Sequence, residues 1–476
     1  MWQALDPSTP ASAAAAVPPP ATAPPAVPTA AVRQLLAELA AITSRPWTLM
    51  EVCGGQTHAI LRWGLDQLLP PGLRLIHGPG CPVCITPAAI LDAAIALAGR
   101  PELILASYGD MLRVPGSDGT SLLEARAAGG DVRLLTSPLQ ALALARANPD
   151  RQVVFLAVGF ETTAPATALL ARQILALGLA NLAILCAHSR VAPAMEALLA
   201  PLPGAGSPSP VQAFLAAGHV CAVLGTEELE GLVARRQLPV VVSGFGPEEL
   251  LRGVLACVRQ LEAGQARLAN AYAAVVRPAG NAAARGLLAE VFEPVDRPWR
   301  GLGLIPGGGL ALAGPFAALE ARVRFGLSEA IDAAEPVQRR SGSATLLGCS
   351  RPRLPADPSG PATPGGAAEV NRPSASRPEA AGSTASFSAA DPPRAERPMA
   401  FDPEACSARS ASPQSWPTAT APDPCIAGTI LRGLALPSHC PSFGAACTPE
   451  HPLGAPMVSS EGACAAYHHY RSGPPP

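Results

Sequence analysis

The stretch VVFLAVGFETTAPATALLARQ, residues 153–173, decides the fold. An apolar run, Val153–Val158, reads as a strand; Gly159 follows, then Glu161, Thr162 and Thr163, and then helical spacing with Pro165 in the first turn. A strand feeding directly into a helix is the repeating unit of a parallel sheet. The same rhythm extends in both directions. Strands are expected at Trp47–Val52, Leu73–His77, Leu103–Ser107, Leu182–Ala187, Val220–Leu224 and Pro239–Ser243, and helices at Ala88–Ala98, Leu139–Ala147, Ala166–Leu177 and Glu248–Glu262. The alternation predicts an α/β fold of two lobes with mainly parallel sheets flanked by helices. Lobe I is expected over residues 31–150 and lobe II over 151–334, its end free to pack back on lobe I.

Outside that rhythm the composition changes. Residues 1–30 form an Ala/Pro-rich tail with no basic start and an apolar stretch broken by prolines, so they read as disordered and not as a signal peptide or membrane helix. Residues 335–424 are rich in Pro, Ser, Ala and Gly without periodicity and read as a disordered insertion; Cys349 and Cys406 inside it are given no role. Residues 425–476 form a small Cys-rich module that needs a staple, and a metal site is one.

All 34 basic residues are Arg, which excludes mechanisms built on a lysine amine, and a net charge of −2 gives no footprint for nucleic acid. No clean run long enough to span a membrane is present. Twelve cysteines in 476 residues are too sparse for a secreted disulfide scaffold, so a cytoplasmic location is expected, where clustered thiols serve metals or redox chemistry.

In open parallel sheets the chemistry collects at the strand-to-helix loops. In MEVCGGQTH, residues 50–58, Cys53 stands at a strand tip, Gly54-Gly55 permits a tight turn, and Thr57 can cap a helix starting near His58. A thiol beside a helix N-terminus tends toward thiolate, and with His58 it could hold iron; a buried strand-end cysteine and an ordinary helical histidine would leave the same letters. In HGPGCPVCITP, residues 77–87, Cys81 and Cys84 form a C-x-x-C before a helix with Thr86 as its cap and Pro87 as its first residue, which suits a redox dithiol, two metal ligands or half a zinc site. Glu161, Thr162 and Thr163 are explained equally by helix capping and by a place in a site. Cys425, Cys440, Cys447 and Cys464 can ligate iron–sulfur or zinc, and their spacing leaves both open. Cys186, Cys221 and Cys257 read as small hydrophobes, and His77, His188, His219, His439, His451, His468 and His469 as surface or satisfied core histidines.

Together CGGQTH, GPGCPVC, GFETT and FGAACTPEHPLGAPMVSSEGACAAY resemble the hydrogenase maturation factor HypD family, with YGDMLRVPGS, GHVCAVLG and WRGLGLIPGGGL in support. The resemblance covers about Ala31–Leu327 and Cys425–Tyr470. It implies a scaffold, not a stand-alone enzyme, on which the Fe(CN)2CO centre of a nickel–iron hydrogenase is assembled with a HypC-type chaperone and a HypE-type cyanide carrier. It further implies Cys53 as iron thiolate with His58 beside it, Cys81 and Cys84 as a redox dithiol near the iron, and Glu161, Thr162 and Thr163 lining the same cleft. The module at 425–476 would carry a [4Fe–4S] cluster. The chain has Ala427 and Pro456 where the family pattern has cysteines, which leaves Cys425, Cys440, Cys447 and Cys464 as its ligands. Gly246 and Gly307–Gly309 also depart from the pattern. The competing enzyme reading is an iron–sulfur-dependent dithiol/disulfide oxidoreductase acting on a protein.

Overall fold

The computed structural model describes residues 28–200, 209–327 and 425–471. The expected tail at 1–30 and insertion at 335–424 therefore lie almost wholly outside the described residues. Among the described residues there are eleven strands: β1 (Trp47–Glu51), β2 (Leu73–His77), β3 (Leu103–Ser107), β4 (Val132–Leu134), β5 (Gln152–Gly159), β6 (Leu182–His188), β7 (Ala213–Ala217), β8 (Val240–Ser243), β9 (Leu268–Asn270), β10 (Phe292–Trp299) and β11 (Gly303–Leu312).

Two sheets are wholly parallel, one in the order β2-β1-β7-β8-β9 and the other in the order β4-β3-β5-β6. The apolar run of β5 is buried on both faces, as a parallel sheet covered by helices requires. Val154, Leu156 and Val158 pack into the core that holds Leu91 and Leu97 of the Ala88–Ala98 helix. Val153, Phe155 and Ala157 face the opposite way, into the core that holds Leu170 and Ile174 of the Ala164–Ala176 helix.

The two lobes do not divide at residue 150. The strand on each side of that point, β4 and β5, flanks β3 in one sheet, while β7, β8 and β9 return to the sheet begun by β1 and β2. The strand that returns to the first sheet is also not the one expected. Val220–Leu224, expected as a strand, belongs to a helix, Gly218–Leu224, and the returning strand is the preceding AFLAA of β7. Alanine is a weak strand former, and burial between β1 and β8 overrides that preference. Gly218 ends the strand where the Ser243 carbonyl and the Tyr272 ring leave no room for a Cβ.

The antiparallel pair β10–β11 bridges the lobes. Trp299 and Ile305 join the core containing Met50 and Phe214 of the first sheet, whereas Phe292, Leu310 and Leu312 join the core containing Phe155 of the second. The C-terminal segment brings no sheet of its own; its regular helices are Ala427–Leu431 and Ala463–Arg471, and Ala455 and Val458 are buried in the second lobe's core. Among the described residues no helix is long and apolar enough to cross a membrane.

Phe214 is fully buried in β7 whereas Leu134, at the end of β4, is 54% exposed. Phe214→Ala is expected to lower unfolding free energy in urea by about 3–5 kcal/mol, and Leu134→Ala to change it by less than about 0.5 kcal/mol. Equal effects would contradict the assignment of β7 to the sheet interior.

Candidate functional site

The strand order of the first sheet switches at β1, with β2 on one side and the much later β7 on the other, and the carboxyl end of such a strand is where open parallel sheets place their sites. Glu51, the last residue of β1, is fully buried there. Its carboxylate accepts the Cys53 N–H at 2.9 Å and the Thr57 hydroxyl, and lies 2.7 Å from His77 Nδ1 at the end of β2. The helix runs Gly54–Arg62 with Cys53 at its cap position, so it begins earlier than expected, and Thr57 serves Glu51 instead of capping. Both glycines are held in close packing. A Cβ on Gly54 would strike Glu461, and one on Gly55 would press on the Phe245 ring. Gln56, also fully buried, donates to the carbonyls of Ala216 (3.3 Å), Ser243 (3.1 Å) and Gly244 (3.4 Å), fixing this turn to the ends of β7 and β8.

The second cysteine loop is laced to the first. Gly78 N–H donates to the Glu51 carbonyl and Gly54 N–H to the Gly80 carbonyl, each at 2.8 Å. Gly80 lies against the Cys53 backbone, where any side chain would collide. Cys81 and Cys84 are joined as a disulfide with Cα atoms 5.3 Å apart, at 3% and 1% exposure. Cys81 caps a short Pro82–Ile85 helix, its sulfur accepting the Cys84 N–H at 3.2 Å. Thr86 therefore does not cap the next helix. Its hydroxyl donates back to the Pro82 carbonyl, and Pro87 takes the cap position of Ala88–Ala98.

In the third loop Thr163 occupies the cap position of Ala164–Ala176 but makes no side-chain capping bond, and Thr162 is exposed. Helix capping consequently does not account for these residues. Glu161 is buried and accepts the Val191 N–H at 3.0 Å, at the start of the Val191–Leu198 helix; its Oε2 has no hydrogen-bond partner among the described residues. Burial pushes its carboxyl up to about 7.

Cys53 is half-buried, and its thiol is pushed up to about 12, chiefly by burial, with the Glu51 and Glu461 carboxylates adding to the shift. The thiolate expected from the helix N-terminus is thus not favoured in the metal-free chain, although the Gln56 and Gly55 N–H groups pull in that direction. His58 hydrogen-bonds through Nε2 to the Tyr470 hydroxyl at 2.9 Å, and burial and Arg62 hold it below its ordinary value.

The C-terminal segment is laid over these loops. Glu461 meets Gly54, Tyr470 meets His58, Tyr467 packs edge-on against His77 at 5.4 Å, and the Ala455 carbonyl lies 4.0 Å from the Cys84 sulfur. Cys425 and Cys440 are half-buried, and Cys447 and Cys464 are buried. Burial raises the Cys464 thiol and the neighbouring Cys425, Cys447 and Cys440 raise it further, so these three lie close to Cys464. Cys447 sulfur accepts the Leu453 N–H at 3.4 Å, and Gly454 leaves room for the Cys425 sulfur. Among the described residues no three His, Cys, Asp or Glu side chains are placed to hold a single metal ion.

Sequence reasoning gave Glu51 and Gln56 no role and read His77 as a surface or satisfied core histidine, whereas the structure sets Glu51 and His77 against each other and ties Gln56 to the strand ends beside them. The available signal was a carboxylate and a histidine each ending an otherwise apolar strand. His188, by contrast, is the satisfied core histidine expected, bonded to the Gly159 carbonyl at 3.1 Å and the Thr167 hydroxyl at 2.9 Å.

A family model described as "HypD: Hydrogenase formation hypA family" matches residues 30–361 and 401–471. The chain is 38% identical over 444 residues to the hydrogenase maturation factor HypD of Azotobacter vinelandii, covering 93% of this chain and 94% of that one. It is 38% identical over 429 residues to HypD of Rhizobium leguminosarum bv. viciae, covering 90% and 89% of the two chains. HypD of Escherichia coli (strain K12) is 36% identical over 441 residues, covering 92% and 93%. With its two cysteine loops laced together and met by the C-terminal segment, the chain belongs to the HypD family of hydrogenase maturation factors.

Proposed function

We propose that this protein holds the iron of a nickel–iron hydrogenase centre at Cys53 while cyanide and carbon monoxide are attached to it. A HypC-type chaperone shares the iron and a HypE-type carrier brings the cyanide. The observation that carries this reading is the lacing of the two cysteine loops, in which Gly80 lies on the Cys53 backbone and Gly54 bonds back to Gly80. It keeps a free thiol and a redox-active pair within one rigid turn. Iron bearing strong-field ligands suits a soft thiolate, and few protein ligands suit a cargo that must leave.

Cys425, Cys440, Cys447 and Cys464 fit a [4Fe–4S] cluster as its resident ligands. Each thiolate of such a cluster binds a different iron, and what supports this set is that Cys425, Cys447 and Cys440 all lie within electrostatic reach of Cys464. When bound, the cluster supplies single electrons. The Leu453 N–H on Cys447 is the kind of contact that tunes such a group. Cys81 and Cys84 interconvert between disulfide and dithiol with two electrons and two protons. Their burial counts against exchange with an external protein disulfide, which requires an accessible sulfur, and so against the oxidoreductase reading.

The test is infrared spectroscopy of the anaerobic complex with its chaperone, in the region where cyanide and carbonyl stretch. Cys53→Ala should remove these bands and keep the cluster absorption, while Cys447→Ala should lose the cluster. Wild-type complex with a full cluster and no such bands, from cells that make the ligands, would refute the scaffold reading; stoichiometric zinc without iron or sulfide would refute the cluster.

Glu161 supplies a pH dependence. Its carboxyl is raised from 4.5 to about 7, so the folded chain keeps a proton that the unfolded chain loses. Stability should therefore fall by about 3 kcal/mol between pH 4.5 and 7 from this group and level off above. Glu161→Gln should remove that slope in urea titrations, and an unchanged slope would show that Glu161 ionises as in water.

A further inference from the structure

Beside the GFETT loop lies a pocket of about 100 Å³, partly open to solvent. Its walls include Val191 and Met195 from one helix and Val220 and Leu224 from another. Exposure gives it a direction: Glu227, Glu228 and Arg285 are exposed and form the mouth, whereas Glu161 and Cys221 are buried and mark the inner end. The charges at the mouth are already paired, Arg285 with Glu227 at 3.4 Å and Arg190 with Glu228 at 2.6 Å. At the inner end Glu161 accepts the Val191 N–H on Oε1, and its Oε2 has no hydrogen-bond partner among the described residues.

This arrangement selects among guests. An anion would meet a carboxyl with no cation paired to it, and a purely apolar molecule would leave Oε2 without a donor, a costly state for a buried acceptor. A guanidinium pairs best with both oxygens of a carboxylate at once, and Oε1 is taken. An ammonium is a point charge that needs one free oxygen, and on an alkyl stem it also covers apolar walls. A pocket of about 100 Å³ is several times what one water needs and takes a stem of about four carbons. All basic residues of this chain are Arg, so no side chain of a second copy supplies the group.

We propose that this pocket binds an alkylammonium group of the length of a lysine side chain, its stem between Met195 and Leu224 and its charge directed at Glu161. The inference is independent of the assembly reading, since it uses neither iron nor the Cys53 turn. Burial holds the Glu161 carboxyl up at about 7, so below that pH the arriving cation displaces a proton. The charged and titratable groups facing Glu161 are Arg190, Glu228 and Cys221. Arg190 and Glu228 pair with each other and the Cys221 thiol is pushed up to about 12, which leaves Glu161 to titrate near neutrality.

Calorimetric titration of the whole chain with n-butylamine, a lysine side chain without its backbone, tests this. Binding should be measurable at pH 8, weaken about tenfold per pH unit below 7 and release a proton at pH 6, which buffers of different ionisation enthalpy detect. Glu161→Gln should weaken binding about tenfold at pH 8 and abolish the proton release. Ala192→Phe, which fills the pocket from another lining residue, should abolish binding with Glu161 in place; if that variant does not fold, Ala192→Ile makes a smaller intrusion to the same end. Absence of n-butylamine binding to the wild-type chain overturns the proposal, as does equal affinity for butan-1-ol or n-propylguanidine, or binding at pH 6 without proton release. Nα-acetyl-lysine N-methylamide binding as tightly as n-butylamine would assign the group to a partner protein, and n-butylamine binding alone would assign it to a small free amine. Failure here leaves the assembly reading standing, because the cyanide and carbonyl bands decide that separately.

Discussion

A carboxylate buried at the end of a strand is tolerable only where donors surround it, and Glu51 meets that requirement by gathering the site. Its oxygens take the Cys53 N–H, the Thr57 hydroxyl and a bond with His77. Three pieces of chain are thereby fixed at once: the turn after β1, the first helical turn, and the end of β2. From β2 the chain passes directly into Gly78 and Gly80, whose backbone contacts press the C-x-x-C loop onto Cys53. The positions of three cysteines thus depend on one side chain that touches only the first of them. The C-terminal segment closes the same network from outside, through Tyr467 on His77 and Tyr470 on His58.

The competition at Cys53 shows which electrostatic effect governs. A helix N-terminus favours a neighbouring anion by about 0.3–1 kcal/mol, up to ~2 in partly buried geometries. Raising a thiol from 9.0 to about 12 corresponds to roughly 4 kcal/mol in the opposite sense. Desolvation together with two nearby carboxylates therefore outweighs the dipole, even though the cysteine stands at the cap position from which the dipole acts.

The elements legible in the sequence were those fixed by local pattern. β2 and β3 and the Ala88–Ala98 helix fall at their expected limits, because each is a short apolar run or an amphipathic span bounded by turn residues. Cys53, Cys81, Cys84 and Glu161 stand out as candidates for a related reason: they lie in loops at strand ends, where open sheets place their chemistry. What could not be read was set by tertiary contact. β7 is alanine-rich and becomes a strand only because β1 and β8 lie on either side of it. The division at residue 150 failed with it, since nothing local in β4 or β5 says that they share β3. Glu51 resembles any polar residue at a strand terminus until the neighbours that surround it are known.

The C-terminal segment carries this dependence furthest. It has no sheet, its helices are short, and its buried side chains are divided among cores: Ala455 and Val458 with the second lobe, Leu431 with the first, and Ala466 and Tyr467 with Leu61 of the Gly54–Arg62 helix. Folded as a separate module it would leave those surfaces in water, and a piece of this size has little else to stabilise it. Its order therefore comes from the lobes it covers, and the contacts that supply that order are the ones made to the cysteine loops. Cys447 and Cys464 pack with Ile430 and Met457, and the same short segment carries Tyr467 and Tyr470 to His77 and His58. Thiol chemistry at one end of the segment and the geometry of the Cys53 turn are consequently parts of one packed unit.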